Sequence, residues 1–117
     1  MDDLFFREHS KPIRISRGLE TIDDPFEKNV TVVYLNPLPI RAIISDLTMA
    51  KVNYAMPGIS TDKAKEIIIE KKRRHLIERS HRIEIAGEYY EGWRVNGKAQ
   101  MREEGNYLRI YIYIKKV

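Results

Sequence analysis

The stretch of this chain closest to a known chemical motif is Gly92-Trp93-Arg94-Val95-Asn96-Gly97-Lys98-Ala99. It almost spells a phosphate-binding loop, in which glycines let the backbone cradle a phosphate and a Ser or Thr hydroxyl holds magnesium. Ala99 stands where that hydroxyl must be, and no helix follows to offer its N-terminus to a phosphate. The three histidines, His9, His75 and His81, have no metal-ligand spacing. The serines lack the sharp strand-to-helix setting of a nucleophile, and no pair of carboxylates stands in an apolar stretch. With no cysteine in the chain, disulfides, thiolate zinc sites and cysteine nucleophiles are excluded. The expectation is a protein that is not an enzyme, with no cofactor and no metal.

The remaining chemical signal is the cationic run Lys71-Lys72-Arg73-Arg74-His75. Such a run can neutralise nucleic-acid phosphates, with exposed tyrosines stacking on bases. It also reads as the solvated end of a strand, where alternate side chains point apart. The net charge is +4, and residues 61–117 carry 14 Lys/Arg against 9 Asp/Glu. That excess permits nucleic-acid contact without requiring it.

At 117 residues the chain is expected to form one domain over 1–117. No apolar run reaches the roughly 20 residues of a membrane span, and the acidic start is wrong for a signal peptide. Synthesis in the cytoplasm with no membrane partner is expected. Residues 1–11 read as a terminal arm, with Leu4, Phe5 and Phe6 able to dock on a neighbouring surface. Ile13 and Ile15 alternate with polar residues in a short strand ending at Gly18. Thr21–Asn29 has turn composition around Asp23-Asp24-Pro25. Strands follow at Val30–Leu35 and Ile40–Ser45, split by Asn36-Pro37-Leu38-Pro39.

Residues 46–60 read as a long loop carrying Met49, Tyr54, Met56 and the Pro57-Gly58 turn signal; so long a loop with apolar side chains suggests function. In 60–80 a short helix at 60–66, a strand at 67–73 and a helical turn at 75–80 fit the β-branched Ile67-Ile68-Ile69. A continuous helix over 61–79 is the alternative. From Arg82 the chain reads as hairpins: Ile83 and Ile85 alternate, Ala86-Gly87-Glu88 turns, Tyr89–Val95 returns with Gly92 as a bulge, and Asn96-Gly97 demands a tight turn. Lys98–Arg102 and a turn at Glu103–Asn106 lead to the last strand. There Leu108, Ile110, Ile112 and Ile114 take one face. Tyr107, Arg109, Tyr111, Tyr113 and Lys115 take the other, and such residues either pack under a helix or meet another subunit. The second option is preferred here. The fold class is mainly β: a small antiparallel β-barrel or sandwich with one or two short helices and a long loop.

The order Ile40-Arg41-Ala42-Ile43-Ile44-Ser45-Asp46, long loop, short helix, then His75-Leu76-Ile77-Glu78-Arg79-Ser80-His81-Arg82-Ile83-Glu84-Ile85-Ala86-Gly87 and Glu88-Tyr89-Tyr90-Glu91-Gly92-Trp93-Arg94-Val95 resembles the head-closure proteins of tailed bacteriophages, the stopper or head–tail adaptor family. The resemblance spans about 80 residues and implies a structural protein of the virion. It would form a homo-oligomeric ring that closes the DNA-filled head and offers the tail its docking surface. Partners would be further copies, a portal or adaptor ring on the head side and a tail terminator or tail tube on the other. DNA would be present only as channel contents. The resemblance implies ring contacts through Leu4, Phe5, Phe6 and the Tyr107, Arg109, Tyr111, Tyr113 face. It implies a channel loop containing Met49, Tyr54, Met56 and Pro57. Stopper, adaptor and tail terminator stay open. The rival reading is a small OB- or SH3-like nucleic-acid-binding barrel using Lys71, Lys72, Arg73 and Arg74.

Overall fold

The alternation read at the C-terminus is the hub of the fold. In a computed structural model, which describes residues 1–24, 29–78 and 80–114, it forms the eight-residue strand Tyr107–Ile114. The chain enters with helix α1 (Asp3–His9), then strands β1 (Lys11–Asp24), β2 (Asn29–Tyr34) and β3 (Leu38–Asp46). Helix α2 (Met49–Ala55) and a 3-10 turn (Thr61–Lys63) lead to β4 (Ala64–Glu70). A second 3-10 turn (Lys71–Arg73) runs into helix α3 (Arg74–Glu78). The remainder is β5 (Ser80–Ile85), β6 (Glu88–Gly92), the short β7 (Arg94–Val95) and β8 (Lys98–Ala99), β9 (Met101–Glu104) and β10 (Tyr107–Ile114).

Strands β1, β3, β4, β10, β6 and β5 pair in that order, and β5 pairs back with β1. Every pairing is antiparallel, so six strands close a barrel with no free edge. Ile13, Ile15, Ile67, Ile69, Ile83, Leu108, Ile110 and Ile112 fill the interior, with Ile77 of α3 closing one end. A barrel this narrow is filled by its own side chains. Nothing threads it.

Alternation on β4 fails for a physical reason. Ile67 and Ile69 face the interior, while Ile68 and Glu66 are buried on the outer face as well. This two-sided burial confirms a strand within 61–79 and rules out one continuous helix. The strand runs Ala64–Glu70 rather than 67–73, and the flanking helical turns are Thr61–Lys63 and Lys71–Glu78.

Two tight turns carry their sequence signals. Ala86 and Gly87 have φ of 49° and 82°, and Asn96 and Gly97 have φ of 53° and 78°. These are the left-handed pairs that a two-residue hairpin needs. The second turn joins β7 to β8, so the near-match to a phosphate loop is a plain hairpin. The return strand expected over 89–95 leaves the sheet at Gly92, and Lys98–Arg102 is interrupted at Gln100.

Three expectations are corrected. The N-terminal arm is a helix: the Asp2 carboxylate accepts from the Phe5 amide at 2.7 Å, and Phe6 anchors the helix to the barrel. The 46–60 loop contains α2, capped by Thr48 and seated by Val52 and Met56, four residues apart on one face. With α3, that makes three short helices. Finally, β1 does not stop at Gly18 but continues to Asp24, paired with β2 from Gly18↔Tyr34 to Asp24↔Asn29. The turn expected at Thr21–Asn29 is therefore strand at both ends, and Pro25–Lys28 lie outside the described residues. Beyond Gly18, β1 and β2 pair with each other and leave the barrel as a two-stranded arm, about 20 Å long at ~3.3 Å per residue. The arm accounts for extents of 53 × 30 × 26 Å.

The core assignment makes a stability prediction. Ile110→Ala, at a fully buried site, should cost about 2–5 kcal/mol in urea unfolding. Tyr54→Ala, on the exposed side of α2, should stay within about 0.5 kcal/mol of the parent. Equal effects would contradict the packing described.

Candidate partner-binding surfaces

The outer face of β10 is where the sequence points to a subunit contact, and the chain covers most of that face itself. Tyr107 is buried beneath α1: its ring lies 5.0 Å from that of Phe6, with Ile43 and Ile68 completing the cluster. The Tyr107 hydroxyl donates to the Asp3 carboxylate at 2.5 Å. That bond, with burial adding to it, pushes the phenol pKa from 10.0 up to about 12. At the other end Tyr111 and Tyr113 pack against the cluster of Leu47, Val52, Met56 and Ala64, and Trp93 meets Tyr113 edge-on at 5.7 Å.

Between the two helices lies a charged seam. Arg109 donates to Glu104 at 3.0 and 3.2 Å and also to Glu66, whose side chain is 4% exposed. Lys51 of α2 approaches Glu66 at 3.6 Å. Hydrogen bonding from Arg109 lowers the Glu104 pKa below its ordinary value. A carboxylate buried on a sheet face is tolerable only beside cations, and here they tie α2 to the barrel. The ring-contact expectation is thereby corrected for Phe6 and Tyr107, which are buried within the chain. Tyr111, Tyr113 and Arg109 are only partly exposed, because this face meets two of the chain's own helices.

What remains exposed is different. Leu4 and Phe5 point outward from α1, and Met49 and Tyr54 from α2, with Tyr54 91% accessible. Pro57 is exposed, but Met56 is fully buried in the core, which corrects its place in a channel loop. Val33, Tyr34, Leu35 and Leu38 are all exposed around the base of the arm. Arg82 sits between two of the exposed tyrosines, 3.9 Å from the Tyr34 ring centre and 4.4 Å from that of Tyr89. From the sequence, Val33, Tyr34 and Leu35 belong to a strand, Tyr34 as a core or core-rim aromatic, and Leu38 to the proline break after it. The signal of this exposed set was the apolar residues on both sides of Asn36-Pro37.

The basic run follows the end of β4 directly and lies on the 3-10 turn and α3 rather than within the strand. Lys71 pairs with Glu103 at 3.1 Å, Arg74 with Glu103 and with Glu78 at 3.2 Å, and Lys72 with Glu70 at 3.4 Å. Lys71 first, then Arg74, lowers the Glu103 pKa. Arg73 makes no ion pair among the described residues. Four cations thus face three carboxylates, and the field left for phosphates is weak. Among the described residues, no group of three or more His, Asp or Glu could hold a metal ion. His9 stacks on Phe5 with ring centres 4.1 Å apart, and the His81 side chain lies outside the described ones. No helix among the described residues is long and apolar enough to cross a membrane. A scan against protein-family models finds no match, and searches of curated proteins and of solved structures find none either.

Two outcomes test the helix-covered face. In a spectrophotometric titration one tyrosine should ionise near pH 12, and Asp3→Asn should move it back toward its ordinary 10.0. A phenol whose pKa is higher in the fold than in the unfolded chain stabilises the protein below the unfolded pKa. That contribution should fade as pH rises from 10 toward 12. Arg109→Met, leaving the buried Glu66 carboxylate with Lys51 at 3.6 Å in place of two cations, should destabilise by about 1–3 kcal/mol, and adding Glu66→Gln should recover part of the loss. No recovery in the double variant would show that the pair is not coupled.

Proposed function

We propose that this chain is a structural protein of the tailed-phage head–tail connector, assembling into a ring that closes the DNA-filled head and presents a docking surface to the tail. The observation that carries the reading is the β1–β2 arm, which leaves a barrel too narrow and too well filled to conduct anything itself. Passage and closure then belong to the space enclosed by several copies, and an arm about 20 Å long is the element able to reach into it. The 46–60 segment is unsuited to that role because Val52 and Met56 bind it to the barrel. The arm takes its place.

The resemblance from residue 38 onward supports the same reading, as do exposed apolar side chains on separate faces. Two different surfaces are what a closed ring requires. Partners would be further copies, a portal or adaptor ring, and a tail terminator or tail tube, with DNA as channel contents and the virion as location. The mechanism is steric: the arms narrow the passage, and the barrels hold them in register.

DNA retention tests this directly. Tailless, DNA-filled capsids mixed with the protein should keep nuclease-protected DNA. In a variant with Asn-Gly in place of residues 19–33, the Gly18↔Tyr34 pair would be bridged by a two-residue turn and the core left intact. That variant should still bind capsids but should lose protection. Protection by the variant equal to the parent's would remove the arm from the mechanism. Failure of the parent to bind capsids would sink the reading. A salt-sensitive affinity for DNA lost on changing Lys71, Lys72, Arg73 and Arg74 to Ala would favour the nucleic-acid-binding barrel instead.

A further inference from the structure

Two apolar patches on this chain carry opposite charge character. On α1, Leu4, Phe5 and Glu8 share one helical face, with Met1 just before the helix, and all four are exposed. Asp2, capping the helix at the head of this stripe, and Glu8 within it carry negative charge, and His9, stacked on Phe5, is the basic group beside them. The second patch is a cleft of about 420 Å³ between the β1–β3 end of the barrel and α3. Ile15 forms its buried floor and Leu35, Leu38 and Leu76 its apolar walls, with Arg17 and His75 at the mouth. No acidic side chain lines it. The cleft is basic.

The stripe cannot fill the cleft of its own chain. Phe6 and the Asp3–Tyr107 hydrogen bond hold α1 on the outer face of β3, β4 and β10, and no residue of α1 lines the cleft. We propose that the acidic, apolar face of α1 in one copy docks into the basic, apolar cleft of the next. The exposed face of α2 is the poorer fit, since Met49 and Tyr54 flank a lysine, Lys51, and no acid. Because knob and cleft are different surfaces, the contact is heterologous and repeats around a ring or along a filament. Its closure into a ring rests on the connector reading, but the contact itself does not.

The absence of native cysteine makes the test clean. Phe5→Cys and Leu38→Cys both change exposed side chains, so unchanged circular dichroism and melting would establish that each variant folds. Under mild oxidation of concentrated protein, with and without filled capsids, a mixture of the two single variants should form cross-linked heterodimers. Their yield should exceed the homodimers of either variant alone several-fold. The double variant should give a ladder of higher oligomers. Adding Leu4→Asp to the Phe5→Cys chain, or raising the salt, should cut the heterodimer yield. A mixture yielding no more than the single variants under both conditions would overturn the contact. Capsid binding by the parent is read separately: cross-linking without capsid binding removes the connector reading alone, and capsid binding without cross-linking removes the contact alone.

Discussion

The rest of the structure depends on the burial of β4 and β10 on both faces. Inward, Ile67, Ile69, Leu108, Ile110 and Ile112 make the centre of the barrel. Outward, Ile68, Glu66, Tyr107, Tyr111 and Tyr113 meet α1 and α2. Helices of seven residues are too short to persist alone, so each exists because it covers this face. The Arg109–Glu66 pair occupies the gap between them, where an apolar residue on β10 would leave the Glu66 carboxylate with Lys51 as its remaining cation among the described residues. The two faces of this strand pair therefore hold the barrel core on one side and both helices, with the link between them, on the other.

That arrangement decides which surfaces are left for partners. A face that looks like an interface in isolation is spent inside the fold, and the apolar side chains left exposed lie on the outer sides of the helices and at the base of the arm. The arm's base is apolar and exposed, and Arg82 braces it by lying between Tyr34 on β2 and Tyr89 on β6. The basic run near α3, by contrast, is taken up largely by Glu70, Glu78 and Glu103. Its ion pairs are exposed and each contributes at most about 1 kcal/mol, so they set local charge more than stability.

The strands were legible where local rules suffice. Period-two alternation in Leu108–Ile114 and the left-handed turn at Asn96-Gly97 follow from the residues themselves, and so does the strand character of the Ile67–Ile69 run. The helices were less legible because their stability is tertiary. Thr48 with Val52 and Met56 at four-residue spacing, and Asp2 before a helix-length segment, were the local signals of α2 and α1. The apolar side chains of the first and the polar surroundings of the second favoured loop and arm. The length of β1 was hidden by Gly18, a residue that weakens a strand interior, yet here it sits where β1 passes from the barrel into the arm. The role of the Tyr/Arg face was undecidable from spacing alone. A strand face under a helix and one under another subunit have the same composition.

Electron microscopy of the protein bound to DNA-filled, tailless capsids tests the central claim most directly. The account predicts a ring of this chain at a single vertex, its barrels outermost and the β1–β2 arms directed at the channel axis. Density at no vertex, or a ring whose arms point away from the axis, would contradict it.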